Sequence, residues 1–468
     1  MNDLHFLTIA EAASLIKSRK LSPVELTQAF IARVKLLDPQ LNAFILLMEQ
    51  DALAEAKQAE AEMAAGHYKG PLHGIPIGLK DIYNTKGVAT TGHSALFRNH
   101  VPGEDATTVA LLRQAGAVIL GKLSTHEFAT GGPSFDLPWP PARNPWDLSR
   151  MPGGSSSGSG AAVAAALCPG AMGTDTGGSI RWPAAMCGIA GHKPTYGLVS
   201  RRGILPLSFS LDHGGPMCWT SEDCALMMDA LAAYDPLDPG SADVPKPDFT
   251  GGLGSGIKGL RIGAIRHFHE TDTDSDPEMA VAFDASLAEL AKLGANVTTV
   301  TVSPLQHYAD VCNVISRSEA YSIHERYLTK TPELYGALAR RRIAAGGFLR
   351  ASDYVSAQRH RSCLVAEMAA VLQDVDVVVT AGWTGVAPEF GEQAVIRGPI
   401  ITSVFNVTGS PALSICNGFS KAGLPLSLQI AGRSFEDATV LKVGHSLEKA
   451  TAYRTIRPAF ATSLAKAA

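Results

Sequence analysis

The chain has 468 residues and a net charge of −4, with 40 Lys and Arg set against 44 Asp and Glu. Hydrophobic residues at 46% and charged residues at 18% provide for a large core and are the wrong balance for a disordered chain. The mild acidity is spread along the chain and argues against a nucleic-acid binder, and no run approaches the ~18 apolar residues that span a bilayer. Asp3 stands where a secretory leader would carry basic residues, and the seven cysteines are scattered without a CxxC pair, so reduced thiols and a cytoplasmic protein are expected.

Residues 1–65 read as a helical segment. Ser22-Pro23-Val24-Glu25 has the form of a capping box with Pro at the first helical position. Behind it, Leu26, Phe30, Val34 and Leu37 recur at helical spacing. After residue 70 the pattern changes to βα alternation. Ile75 to Ile82 predicts a strand, Ala106 to Gln114 a helix that Gly116 ends, and Ala117 to Leu120 a buried strand. The stretch 235–258, rich in Pro, Gly and Asp, reads as a surface connection within one domain. The helix–Gly–strand cadence returns at 276–300, and again as Tyr354 to Leu372 followed by Val375 to Val379. These units predict an α/β fold with a single large domain over 1–468 around a large sheet.

Many of the 45 glycines fall in one segment. Gly153-Gly154-Ser155-Ser156-Ser157-Gly158 leads into a small-residue helix from Gly160 to Leu167, and Thr174-Asp175-Thr176-Gly177-Gly178-Ser179 follows. Consecutive glycines let backbone N–H groups converge on one point, which makes an oxyanion hole when a nucleophile stands beside it. A flexible linker does not run into Ile180-Arg181-Trp182-Pro183 and an Ala-rich helix.

This segment resembles the amidase signature family along its whole consensus: Gly153, Ser155, Gly158, Gly160, Ala164, Gly173, Asp175, Gly177, Ser179, Arg181 and Pro183. Gly74 to Asp81 is similar to the family's lysine strand, and Asn406 to Ala412 to its C-terminal Asn/Gly/Pro motif. The resemblance implies a central mixed β-sheet covered by helices on both faces, with 235–375 as a variable, substrate-shaping region. It implies Ser179 as nucleophile, Ser155 as bridging serine held through a cis Gly154–Ser155 peptide, and Lys80 as base. Thr176, Gly177, Gly178 and Ser179 would supply the oxyanion hole, while Ser156, Asp175 and Arg181 would brace the loop. No metal and no cofactor are required. The chemistry is coherent in its own terms, because a serine hydroxyl needs a base and a lysine is one only when neutral. Burial at the end of an apolar strand would have to lower its pKa by about 3 units, at roughly 4 kcal/mol.

The expected activity is hydrolysis of a C–N bond in a small-molecule amide, with anilides, carbamates and esters within reach. The alternative is an amidotransferase A-type subunit that releases ammonia from glutamine for tRNA-dependent amidation. Against it, Thr130-Gly131-Gly132-Pro133-Ser134-Phe135-Asp136 stands where those proteins carry a Ser-Thr-Glu-Asn-like run. Gly131, Gly132, Phe135, Trp383 and Phe405 are candidate substrate contacts. No nucleic-acid or membrane partner is expected, and a homodimer is a family-level expectation. Other motifs weigh less. Ser156 sits at the centre of a GxSxG pattern without the buried strand that a nucleophile elbow needs. His267-Phe268-His269-Glu270 reads as a solvated loop rather than a metal site. Arg340-Arg341-Arg342 reads as a helix face, with the holding of an anionic substrate as the other reading.

Overall fold

The computed structural model describes residues 4–391 and 399–463. Among them eleven strands form one sheet. In chain order these are β1 (Phe44–Leu47), β2 (Pro76–Lys80), β3 (Val118–Leu123), β4 (Gly170–Asp175), β5 (Ala190–Lys193), β6 (His213–Cys218), β7 (Arg261–Ala264), β8 (Asn296–Thr299), β9 (Val377–Ala381), β10 (Ala412–Phe419) and β11 (Pro425–Gly432). Across the sheet the order is β1-β3-β2-β4-β6-β5-β10-β11-β9-β7-β8. Pairing is parallel between β2 and its neighbours β3 and β4, and between β7 and its neighbours β8 and β9. The remaining pairs are antiparallel. This is the expected single α/β domain with a mixed sheet and helices over both faces.

Strands β2, β3 and β9, each with a parallel neighbour, are buried along their whole length, as parallel strands covered on both faces require. The predicted units appear with ends moved by a few residues: helix Thr107–Gln114 before β3, Pro277–Lys292 before β8, and Ala351–Asp374 before β9. Helix Pro23–Leu41 buries Leu26, Phe30, Val34 and Leu37 as the spacing predicts. Its cap is simpler than expected. Ser22 Oγ accepts the N–H groups of Val24 and Glu25, but it donates to Glu60 rather than being answered by Glu25. The small-residue helix runs over Ser157–Ala164, three residues earlier than predicted. Its composition has a steric reason, since a Cβ on Gly158 would lie 2.5 Å from the backbone of Ala43 and of Ser124.

The segment 235–375 is built into the same sheet. After the long connection, β7 and β8 extend its edge, and helices Leu305–Lys330, Ala337–Ala344 and Ala351–Asp374 follow. The solvated loop expected at 267–270 is instead a short helix whose His269 is buried against Phe283. The apolar Phe268 beside it pulls the turn into the core. No helix among the described residues is long and apolar enough to cross a membrane.

Helices Ile9–Lys17 and Asp437–Ala450 are both tied to the N-terminus of helix Ser221–Leu231 by acids. Asp223 accepts the N–H of Ala10, and Glu448 accepts that of Ser221 at 2.9 Å. Burial raises the Asp223 pKa to about 7 and that of Glu448 to about 8. A carboxyl held above its unfolded value stabilises the fold at low pH, and that contribution is lost as pH rises towards the folded pKa. In thermal unfolding followed by circular dichroism, the stability of the wild type relative to Glu448→Gln should therefore fall as pH rises from about 5 to 8. Parallel profiles for the two proteins would contradict the assignment.

Candidate active site

Lys80 and Asp175 are the last residues of two adjacent parallel strands, β2 and β4, so both stand at one edge of the sheet. Carboxyl ends of parallel strands are where α/β folds place ligands. Lys80 is fully buried, and its Nζ donates to Ser155 Oγ at 2.7 Å, Thr174 Oγ1 at 2.8 Å and Ser156 Oγ at 3.1 Å. Three neutral hydroxyls do not repay the desolvation of an ammonium. Burial accordingly lowers the Lys80 pKa to about 7, against Asp175 and Asp212, which favour the charged form. Ser156 has a further task, because its Oγ accepts the Thr174 N–H and donates to the Thr174 carbonyl, clamping the loop to β4.

Ser179 faces Ser155, but the contact between them differs from the expected one. The N–H of Ser155 donates to Ser179 Oγ at 3.1 Å, and no bond joins the two hydroxyl oxygens. Among the described residues no peptide bond is cis, which corrects the expectation for Gly154–Ser155. The chain turns there with positive φ at Gly153 (85°) and Gly154 (50°).

The loop carrying Ser179 hangs on one carboxylate. Asp175 accepts the N–H of Gly178 at 2.7 Å and of Ile180 at 3.1 Å, and Arg181 grips it through Nε at 3.0 Å and Nη2 at 2.8 Å. Arg181 continues to Asn406 Oδ1 and Gln429 Oε1, each at 2.7 Å, while Asn406 returns a bond to Asp175 at 2.8 Å. Burial acts to raise the Asp175 pKa. The Arg181 guanidinium, Lys193 and the donated bonds outweigh it and hold the carboxyl well below the usual range. Thr176, in turn, donates its hydroxyl to Asp212 at 2.6 Å. One oxyanion assignment is thereby corrected: the Gly178 N–H is spent on Asp175. The N–H groups of Thr176, Gly177 and Ser179 carry no bond to another described residue. Gly178 is required by its backbone, with φ 127° and a Cβ position that would collide with Thr402.

A cleft of about 330 Å³ opens over these residues. Ser155, Thr176, Gly177, Ser179, Gly131 and Gly132 lie in its wall. Three expected contacts do not. Phe135 is 64% exposed and packs on Phe390 outside the cleft. Phe405 is 1% exposed, within the core. Trp383 stacks behind Trp182 at 4.3 Å, and Trp182 is the ring that reaches the cleft. The sequence reading missed His126, Cys312 and Arg317, which also line it, and gave Arg342 as part of a helix face first and a holder of an anionic substrate second. Arg317 and Arg342 form no ion pair among the described residues, and no Asp or Glu is among the described residues of the cleft wall. Burial and the neighbouring Arg317 and Arg341 lower the Arg342 pKa. Burial, with the Lys80 and Arg342 charges, pushes the His126 imidazole well below its ordinary pKa.

Known proteins bear on this geometry. The Amidase family model matches residues 25–441. The A-type subunit of the glutamyl-tRNA(Gln) amidotransferase of Geobacter metallireducens is 38% identical over 97% of this chain and 99% of its own length. Among solved structures, the peptide amidase of Stenotrophomonas maltophilia superposes with a TM-score of 0.85 at 32% identity, over 96% of this chain and 98% of that one. A protein from a vestigial complex bearing on the origins of an s-triazine catabolic enzyme gives a TM-score of 0.89 at 31% identity, over 95% and 98%.

Removing one member of a buried ion pair leaves the other uncompensated, at about 3–5 kcal/mol. Asp175→Ala should lose that much stability in urea unfolding. A loss below about 1 kcal/mol would mean that the pair does not organise the loop.

Proposed function

The chain belongs to the amidase signature family, and from that premise we propose that it hydrolyses an anionic small-molecule amide through an acyl-enzyme on Ser179. The observation that carries the reading is a cleft in which a buried lysine bonded to serine stands at one end and two arginines, without carboxylate partners among the described residues, line the wall. Neutral Lys80 takes the proton of Ser155 Oγ, and Ser155 takes that of Ser179 as the substrate carbonyl arrives. Ser179 Oγ forms the new C–O bond, and the tetrahedral oxyanion lies against the N–H groups of Thr176, Gly177 and Ser179. One such donor is worth about 10²–10³ in rate. Lys80 then returns its proton through Ser155 to the leaving nitrogen as the C–N bond breaks. Water completes the cycle by hydrolysing the ester. Arg317 and Arg342 hold the substrate's negative group, Arg342 being able to grip a carboxylate with two N–H bonds.

The curated relatives favour a narrower reading and weigh more for it than for a stand-alone amidohydrolase. In it the chain is an amidotransferase A-type subunit, glutamine is the amide, and a protein partner passes the ammonia to a tRNA-bound acid. Glutamine has the carboxylate that the arginines would hold. It also has an ammonium group, for which the described cleft wall offers no acid. Ammonia release from glutamine and from succinamate, which has the carboxylate and amide alone, separates the two. Turnover of glutamine only supports the amidotransferase reading, and faster turnover of succinamate supports a stand-alone enzyme. Preference for the neutral p-nitroacetanilide over both would overturn the anionic substrate.

Because the base must be neutral and burial lowers Lys80 to about 7, kcat/KM should rise with pH through about 7 and level above it. Lys80→Ala should remove most activity without rescue at high pH, and Ser179→Ala should remove it while the fold persists. Near-normal rates in Lys80→Ala would refute the base. Arg342→Ala should raise KM for an anionic amide by roughly tenfold or more, with kcat changed far less.

A further inference from the structure

Two successive residues that are not glycine take left-handed backbone beside the cleft, Phe128 with φ 47° and Ala129 with φ 60°. Such conformations are strained for residues with a Cβ and persist only where the surroundings over-determine them. Here every step of the turn is fixed. The Phe128 N–H donates to the Gly92 carbonyl at 2.9 Å, and those of Ala129 and Thr130 close back on the carbonyls of His126 and Glu127 at 2.9 and 3.0 Å. The Phe128 ring is buried against Phe97, His324 and Tyr335. Strain held this firmly points to a side chain that the turn must present.

That side chain is His126. Its N–H donates to the Ser155 carbonyl at 3.1 Å, and the residue lies in the cleft wall, while Glu127 turns away to Ser94 Oγ and the Gly336 N–H. The His126 imidazole makes no hydrogen bond with another described residue. Neither of its nitrogens is among the unpartnered polar atoms sealed inside the fold, so both reach open space. The titratable groups that act on the ring are Lys80, Arg342 and His93, and none is an acid. Lys80 belongs to the reacting end of the cleft and Arg342 to the arginine wall, so the ring stands near both. Held well below its ordinary pKa, the imidazole is uncharged at pH 7 and offers one donor and one acceptor.

We propose that His126 is a specificity-determining residue, which hydrogen-bonds a neutral polar group of the substrate between the scissile carbonyl and the anionic group. The inference rests on the anionic-amide reading and narrows its substrate class to acid amides with a hydroxyl or a second amide on the intervening chain. A substrate that displaces water from the cleft must meet the ring nitrogens or leave them bare, and leaving them bare is costly. An ammonium at that place would face Arg342 with no acid in the described wall, and like charges so placed repel. A hydroxyl or an amide satisfies the ring without that penalty.

Turnover of succinamate and of its 2-hydroxy and 3-hydroxy derivatives by the full chain tests it. One of the hydroxy compounds should exceed succinamate in kcat/KM by roughly tenfold, the worth of one hydrogen bond. His126→Ala should bring that ratio to about one, and His126→Asn, which keeps a donor and an acceptor, should restore part of it. A crystal of Ser179→Ala with the preferred hydroxy compound should place the hydroxyl within hydrogen-bond distance of His126, which decides even where His126→Ala does not fold. Equal kcat/KM for the three amides in the wild type, a ratio that survives in His126→Ala, or a hydroxyl bonded elsewhere would overturn the role of His126. Turnover of succinamate that depends on Arg342 would in that case leave the anionic reading standing. Preference for p-nitroacetanilide over all three would remove that reading, and the inference with it.

Discussion

A carboxylate sealed from water must collect its solvation from the chain, and Asp175 does so at the end of β4. Its donors come from Gly178, Ile180, Arg181 and Asn406. Meeting that demand dictates the turn of the nucleophile loop. The loop wraps around the carboxylate, spends the Gly178 N–H inward and leaves the neighbouring N–H groups of Thr176, Gly177 and Ser179 uncommitted. The same anchor joins the halves of the molecule, because Arg181 spans from β4 to Asn406 and to Gln429 on β11. Lys80 is the counterpart: one buried charge is fully compensated, and the adjacent ammonium, given only neutral hydroxyls, has its pKa lowered to about 7.

The cleft wall is attached by acids in a similar way. Glu127 accepts the Gly336 N–H at 2.9 Å and Asp136 the Ala337 N–H at 2.8 Å, fixing the loop that carries Gly131 and Gly132 to the start of helix Ala337–Ala344. Negative groups at a helix N-terminus gain from its dipole, and this helix presents Arg342. Glu319, on helix Leu305–Lys330, accepts from Ser208, Ser210 and Tyr354 and holds the loop behind Leu207. The segment read in sequence as substrate-shaping is thus fastened to the loops at 127–136 and 207–210 that border the cleft. It can vary its cleft-facing side chains while those fastenings stay.

The meeting of Lys80, Ser155 and Ser179 was legible because it depends on local identity: Lys80 ends an apolar run, and the glycines around Ser155 and Ser179 are needed where they stand. The βα alternation was legible for the same reason, with ends displaced by a few residues. Strand order was not, since β5 and β10 pair across nearly half the chain and periodicity says nothing of partners. Nor can composition tell which N–H in Thr176 to Ser179 is spent, a question settled by where one carboxylate lies. Phe135, Trp383 and Phe405 show the limit for aromatics. A ring near a motif packs on whichever face its helix or loop presents, so two went to the interior and one to the surface. Arg342 was visible only as a member of a basic run, and its place in the cleft follows from how helix Ala337–Ala344 is docked.

The span of the Arg181 bonds also sets a schedule for biosynthesis. Their partners lie 225 and 248 residues further along the chain, and contacts so distant form late and slowly. A chain still being translated already contains Lys80, Ser155 and Ser179, yet Arg181 lacks its outer partners until Gln429 has left the ribosome. A nascent or truncated product would carry the nucleophile in an unbraced loop. The final ordering of the loop around Ser179 is thereby tied to synthesis of the C-terminal strands.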